Sequence, residues 1–342
     1  MAAAKTGSGR TRKRSGAAVA ATGARGPASL APGVRAGDSL SVARAISLVE
    51  DRSAEGSGLL GEIGPATGRA YRVGVTGPPG AGKSTLVNWL ARELVGKGAS
   101  VGILAVDPTS PFTGGALLGD RVRMQGAAVD PRVFIRSMAS RGDLGGLAAA
   151  AQDACDILDA AGKDWILIET VGVGQTEVEV AGAADTVIVV LHPESGDGVQ
   201  AMKAGLMEVA DIFVVNKADR EGADRLVRSV LDVLELRRSG TGDGRPPVIP
   251  TVASEGKGAV EVLAAVESHR DRARASGEFD RRRRARARKR IRDLVEETLR
   301  ERVFRAAAPV LEALVEDVVE GRTTPQAAAA ELLRRVTAKG KG

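Results

Sequence analysis

Residues 71–85 read YRVGVTGPPGAGKST, and this stretch decides the fold. Tyr71 to Thr76 form an apolar, β-rich run, and a glycine-rich turn follows directly. Gly77, Gly82, Lys83 and Ser84 then fit the pattern GxxxxGK followed by Ser or Thr, which marks a phosphate-binding loop between a strand and a helix. The glycines let the backbone turn so that successive N–H groups, with the N-terminus of the next helix, surround phosphate oxygens. Gly80 and Ala81 lie within that cradle, Lys83 reaches the β- and γ-phosphates, Ser84 is suited to ligate a bridging Mg²⁺, and Thr85 turns toward the helix start. A chance glycine-rich turn is the competing reading, and a strand immediately in front makes it rare.

Working outward, further apolar runs occur at Ser100 to Val106, Val133 to Arg136, Trp165 to Ile168, Thr186 to Leu191, Ile212 to Val215 and Val248 to Thr251. Segments of helical composition lie between most of them. Near-continuous apolar strands alternating with helices indicate an α/β fold of the P-loop NTPase type, with a mostly parallel, doubly wound sheet and its site beyond the carboxyl ends of the strands. Asp107 and Glu169 each follow such a strand and are placed to face Mg²⁺ and the γ-phosphate, while Gly172 gives the backbone freedom to approach that phosphate. Asn216, Lys217 and Asp219 form an NKxD motif after the run ending at Val215. A carboxylate at Asp219 can accept both N1–H and the exocyclic N2–H of guanine, and adenine offers neither donor. GTP and GDP are therefore favoured over adenine nucleotides.

The 342-residue chain carries 43% hydrophobic and 27% charged residues, the balance of a folded protein. Its longest apolar runs fall well short of the ~20 residues of a membrane-crossing helix. One cysteine, Cys155, and two histidines leave little for a zinc site or an internal disulfide. The formal net charge is +6, and residues 1–37 hold seven basic and no acidic residues, which leaves the body at −1. With few aromatic residues as well, specific nucleic-acid binding is not expected.

Residues 1–37 read as a disordered basic tail that packs no core, with a mitochondrial transit peptide, and hence a matrix location instead of a cytoplasmic one, as the alternative. One amphipathic helix, capped by Asp38 or Ser39, is expected in an N-terminal helical segment at 38–70, ahead of a nucleotide domain at 71–256. Residues 257–342 form a helical extension. Its basic run at 281–290 is expected to be a solvated helix face, with RNA or acidic lipid as the alternative targets. Ile291, Leu294, Val295, Leu299 and Val303 make one apolar stripe beyond it, Val310, Leu311, Leu314, Val315 and Val318 another, and Pro325 opens a last helix.

The blocks DPTSPFTGGALLGDRVRM at 107–124, ETVGVGQTEVEV at 169–180 and NKAD at 216–219 resemble those of the MeaB-type GTPases associated with methylmalonyl-CoA mutase, a family also known as ArgK or LAO/AO transport-system kinases. The resemblance covers about residues 38–262. It implies a GTP-hydrolysing homodimer, slow alone and stimulated by its partner, that gates cofactor loading or protects an adenosylcobalamin-dependent acyl-CoA mutase. It further implies that Asp120 joins Lys83, Asp107, Glu169 and Gly172 in the switch and metal region. Asp197 and Lys203 would belong to a segment that communicates with the mutase, and the glycines at 196, 198 and 205 suit such a role. Thr251 to Ser254 stand where the family has a Ser-Ala pair against guanine, which makes Ser254 the base-side candidate, and the 281–290 run is more basic than the family's dimerisation region. A nickel or other metallocentre-assembly GTPase is the alternative reading, set back by the isolation of Cys155, His192 and His269 in the sequence.

Overall fold

A computed structural model describes residues 30–107, 130–139, 144–170, 182–194, 206–236 and 245–339. Within them the seven strands are β1 (Tyr71–Thr76), β2 (Val101–Asp107), β3 (Val133–Ala139), β4 (Trp165–Thr170), β5 (Thr186–Leu191), β6 (Ile212–Asn216) and β7 (Val248–Thr251). They form one parallel sheet in the order β3-β2-β4-β1-β5-β6-β7. The winding direction reverses about β1, so the turn that follows it opens at the switch point where open α/β sheets take their ligands.

Both faces of the sheet are covered, which is why the strands lack polar alternation. Ten α-helices occur among the described residues: α1 (Leu30–Arg35), α2 (Ser39–Glu50), α3 (Ala54–Ile63), α4 (Lys83–Gly96), α5 (Leu144–Ala160), α6 (Leu206–Val209), α7 (Ala223–Leu236), α8 (Ala259–Ala275), α9 (Glu278–Val319) and α10 (Pro325–Lys339). Val73, Val75, Ile103, Leu167, Ile188 and Val190 point to the face packed by α4 and α8. Leu104, Val106, Ile166 and Ile168 point the other way, into a cluster with α1, α2, α3 and α5. No described helix is long and apolar enough to cross a membrane.

Several boundaries differ from the sequence expectation. β2 runs on through Asp107 and β4 through Thr170, because β2 stays paired with β3 as far as Asp107 and Ala139 and with β4 as far as Val106 and Thr170. Polar residues there keep strand geometry because their backbone groups are paired. Residues 30–35, expected within the tail, instead form α1, and Leu30, Ala31 and Val34 are buried in the core. Three apolar residues in a single turn gave no periodicity to detect, and their burial comes from contact with α2 and α3. The N-terminal segment accordingly contains three helices in place of one, α2 being capped by the Asp38 side chain accepting from the Ser41 N–H.

The basic run corrects a second expectation. The two apolar stripes of the C-terminal region and this run lie on a single helix, α9, and part of the run faces the domain and not solvent. Arg283 and Arg286 both donate to the Asp185 carboxylate, at 3.0 and 2.7 Å. Arg282 donates to Asp211 at 2.9 Å, and Arg290 meets both oxygens of Asp153 at 2.8 Å. Residues 282, 286 and 290 recur every four positions, so they share one face of the helix. Their acidic partners sit at the amino end of the sheet or on α5, opposite the phosphate loop. The arginines therefore fasten the C-terminal arm to the domain.

Asp185 is 3% exposed. Burial pushes its pKa up, but the hydrogen bond from Arg283 and the nearby charge of Arg286 outweigh this and hold it below the usual carboxylate value. A lowered folded-state pKa contributes stability that is present above the unfolded value and lost as pH falls through the folded one. Asp185→Asn is expected to cost about 3 kcal/mol at neutral pH, because it leaves two arginines facing a neutral partner. Denaturant unfolding of the two proteins should converge as pH falls below about 4. A gap unchanged across that window would show that the charge of Asp185 is not what holds α9.

Candidate nucleotide site

The phosphate loop is held from behind by two close approaches. Gly77, at φ 136°, lies so near β5 that a Cβ there would stand 2.0 Å from the Val190 carbonyl oxygen. Gly82, at φ 88°, would place a Cβ 2.2 Å from the Asn216 side-chain nitrogen. Neither position admits a side chain, so these glycines are required by space as well as by conformation. Gly80 and Ala81 complete the turn, and α4 starts at Lys83, bringing Ser84 and Thr85 into its first turn. Lys83 is 6% exposed, and its Nζ donates to the Gly77 and Pro78 carbonyls at 2.6 and 3.0 Å. The ammonium is thus folded over the loop, within reach of groups that the loop's N–H donors would cradle.

Two sequence-distant candidates meet beside it. Ser84 Oγ donates to Glu169 Oε1 at 2.5 Å, and Glu169 is 2% exposed near the end of β4. Thr170 Oγ1 donates to Thr76 Oγ1 at 3.0 Å, tying the ends of β4 and β1 together. A hydroxyl and a carboxylate in contact at a helix N-terminus supply the hard oxygen donors that Mg²⁺ prefers, so these residues fit the ion. Asp107 closes β2, in the strand paired with β4, and its side chain lies outside the described part. Asp120, Gly172, Asp197 and Lys203 also lie outside the described residues.

On the base side, Asn216 acts as a strut. Its side-chain nitrogen donates to the Ala81 carbonyl at 2.7 Å, and its oxygen accepts from Thr251 Oγ1 at 3.1 Å and the Ala253 N–H at 2.9 Å. One amide therefore joins the phosphate loop to the turn that carries Ser254, a 3₁₀ segment at Ala253–Glu255. Lys217 takes a left-handed backbone at φ 58° and pairs with Glu194 at 2.7 Å. Asp219 is half exposed in the turn after β6, 3.7 Å from Arg220. Sequence reasoning missed Thr251 and Ala253 as supports, and also Glu194, for which no motif signals a role.

Asp219→Asn is expected to shift preference from guanosine to xanthosine diphosphate by about tenfold or more, because xanthine offers a carbonyl at C2 to the new amide donor. Competition binding checks it. An unchanged guanine preference would remove Asp219 from base reading.

Residues 42–308 match the family model described as methylmalonyl Co-A mutase-associated GTPase MeaB. A protein of Pyrococcus abyssi named as a GTPase is 51% identical over 264 residues, covering 77% of this chain and 82% of its own. The mouse protein named methylmalonic aciduria type A homolog, mitochondrial, is 35% identical over 272 residues, 77% of this chain and 65% of that one. Among solved structures, an LAO/AO transport system kinase superposes with a TM-score of 0.68 at 29% identity, covering 91% of this chain and 97% of that one.

Proposed function

Since the chain belongs to the family of methylmalonyl-CoA mutase-associated GTPases, we propose that it uses GTP to gate cofactor loading into an adenosylcobalamin-dependent acyl-CoA mutase, or to protect that enzyme. The protein is a P-loop GTPase that binds guanine nucleotide. The observation that carries the mutase reading is the family match across residues 42–308, which encloses the phosphate loop, Glu169 and the Asn216 motif. The mouse relative, named for methylmalonic aciduria, supports the same partner class.

In this reading Lys83 turns from the Gly77 and Pro78 carbonyls to the β- and γ-phosphates, while Ser84, Asp107 and Glu169 would hold Mg²⁺, which would supply positive charge beside the phosphates. Asp219 reads the guanine edge. Asp120 and Gly172 complete the switch region, and Asp197 and Lys203 carry its state to the mutase. Hydrolysis is slow until the partner favours the arrangement competent for it. The protein acts in the cytoplasm as a homodimer. The surface suited to dimerisation is on α9, where Ile291, Leu294, Val295 and Leu299 are 64, 43, 51 and 55% exposed along one stripe.

Affinity capture from native extract tests the partner. The protein loaded with a non-hydrolysable GTP analogue should retain an acyl-CoA mutase subunit that the Lys83→Ala variant does not. Recovery of no mutase, or equal recovery by both proteins, would overturn the reading.

A further inference from the structure

His192 is the residue directly after β5. Leu191 before it pairs with Val215 of β6, and Val190 lies hard against Gly77 of the phosphate loop. The imidazole is thus wedged behind the loop, between it and the base-side motif. It is 7% exposed, and both ring nitrogens are buried with no well-aligned hydrogen bond among the described residues, the Pro79 carbonyl being the acceptor that faces them. Buried polar atoms in native proteins are nearly always bonded, so two on one ring call for a state of the molecule in which they are used.

The charges around the ring indicate that state. Glu194, on the same strand end, has an oxygen 3.9 Å from Nδ1. That carboxylate is already committed to Lys217 at 2.7 Å and Arg220 at 3.5 Å. Lys83 of α4 and Lys217 beyond β6 both act on the ring as positive charges, and the Pro79 backbone faces it from the loop. Burial first, and then the Lys217 charge, hold its pKa below the ordinary histidine value, while Glu194 and Pro79 oppose them. Without nucleotide, burial and the charges of Lys217 and Lys83 disfavour the protonated ring. A guanine nucleotide makes that environment less positive, because its phosphates bring negative charge beside Lys83, one of the two lysines that disfavour the imidazolium.

We propose that His192 is a positioning residue for the phosphate loop: when a guanine nucleotide fills the loop, the ring takes up one proton from solvent and, as imidazolium, donates to the Pro79 carbonyl and faces Glu194, so holding the loop closed around the phosphates. The ring touches no reacting atom. It acts on the affinity of the loop, and links that affinity to pH. This inference rests on the phosphate loop being the nucleotide site, which GDP binding itself tests separately.

The sign follows from linkage. A group whose pKa is higher in the complex than in the free protein makes binding tighter below the window between the two values, and the gain is lost as pH rises through it. The chain has two histidines, His192 and His269, so the wild-type imidazole resonances can be followed individually. His269 lies at the opposite end of the sheet, bonded to Thr186 and 3.3 Å from Asp211, and serves as an internal reference.

The experiment is an NMR titration of those resonances with and without GDP and Mg²⁺, together with GDP affinity between pH 5.5 and 8 for wild type and His192→Gln. The variant assigns the resonance, and His192→Asn serves the same purpose if the glutamine variant does not fold. The His192 midpoint is expected to rise by roughly one pH unit or more on GDP binding, with His269 unmoved. Wild-type affinity should gain about tenfold toward acid over the variant, whose affinity at pH 8 stays within a few-fold. A His192 midpoint that does not move, or parallel pH profiles for the two proteins, would overturn the proposal. Failure of GDP to bind wild type at all would instead refute the assignment of the phosphate loop.

Discussion

Lys83→Ala is expected to lose tight GTP binding, with a fall of at least about 100-fold in affinity, while the protein still folds. The ammonium is the one side-chain charge inside a loop otherwise built of backbone donors, and it lies 2.6 Å from the Gly77 carbonyl at the loop's own entrance. Charge-assisted hydrogen bonds to phosphate contribute roughly 1.5–3 kcal/mol each, so losing two of them accounts for a fall of that size. The fold survives because the turn is set by the close packing of Gly77 on Val190 and Gly82 on Asn216, neither of which involves the ammonium. Isothermal titration with GTP and Mg²⁺, alongside a thermal melt, checks both halves. Affinity equal to wild type would mean that phosphate is bound elsewhere.

The second large effect is expected at Asn216→Ala. That side chain is 3% exposed and makes three hydrogen bonds, to the phosphate loop at Ala81 and to the base-side turn at Thr251 and Ala253. Truncation leaves a buried carbonyl, a buried N–H and a buried hydroxyl without their partner, at a cost of about 1–3 kcal/mol for each that water does not reach. Stability should fall by about 3 kcal/mol, and GDP affinity by about 100-fold, because the two halves of the site are no longer held in register. Denaturant unfolding and GDP titration measure these separately. A variant with weakened guanine recognition and undiminished stability would show that Asn216 acts on the base and not as a strut.

How much of the fold and site is legible in the sequence depends on how local each signal is. The turn from Gly77 to Ser84 is contiguous, and its spacing alone specifies a backbone shape. The strands are legible because central parallel strands are buried on both faces and read as plain apolar runs. Strand ends are not, since Asp107, Glu169 and Thr170 owe their geometry to neighbours in the sheet and not to their own type. The contact of Ser84 with Glu169 spans 85 positions, and spacing cannot supply that distance. The arginines of α9 read as a solvated face for the same reason: a charge run gives no sign of Asp185, Asp211 and Asp153 until the fold brings them alongside. A four-residue recurrence at 282, 286 and 290 is present in the sequence, but basic residues at 281, 284, 288 and 289 occupy the other faces and mask it.

The link between GTP turnover and a cobalamin enzyme is the central claim, and one rate tests it most directly. GTP hydrolysis by the purified protein in Mg²⁺ should be measured alone and with a purified adenosylcobalamin-dependent methylmalonyl-CoA mutase from the same source. The expected result is slow turnover alone and a rise of about tenfold or more with the mutase, because a partner that prefers the hydrolysis-competent arrangement must populate it. A rate unchanged by saturating mutase would contradict the account.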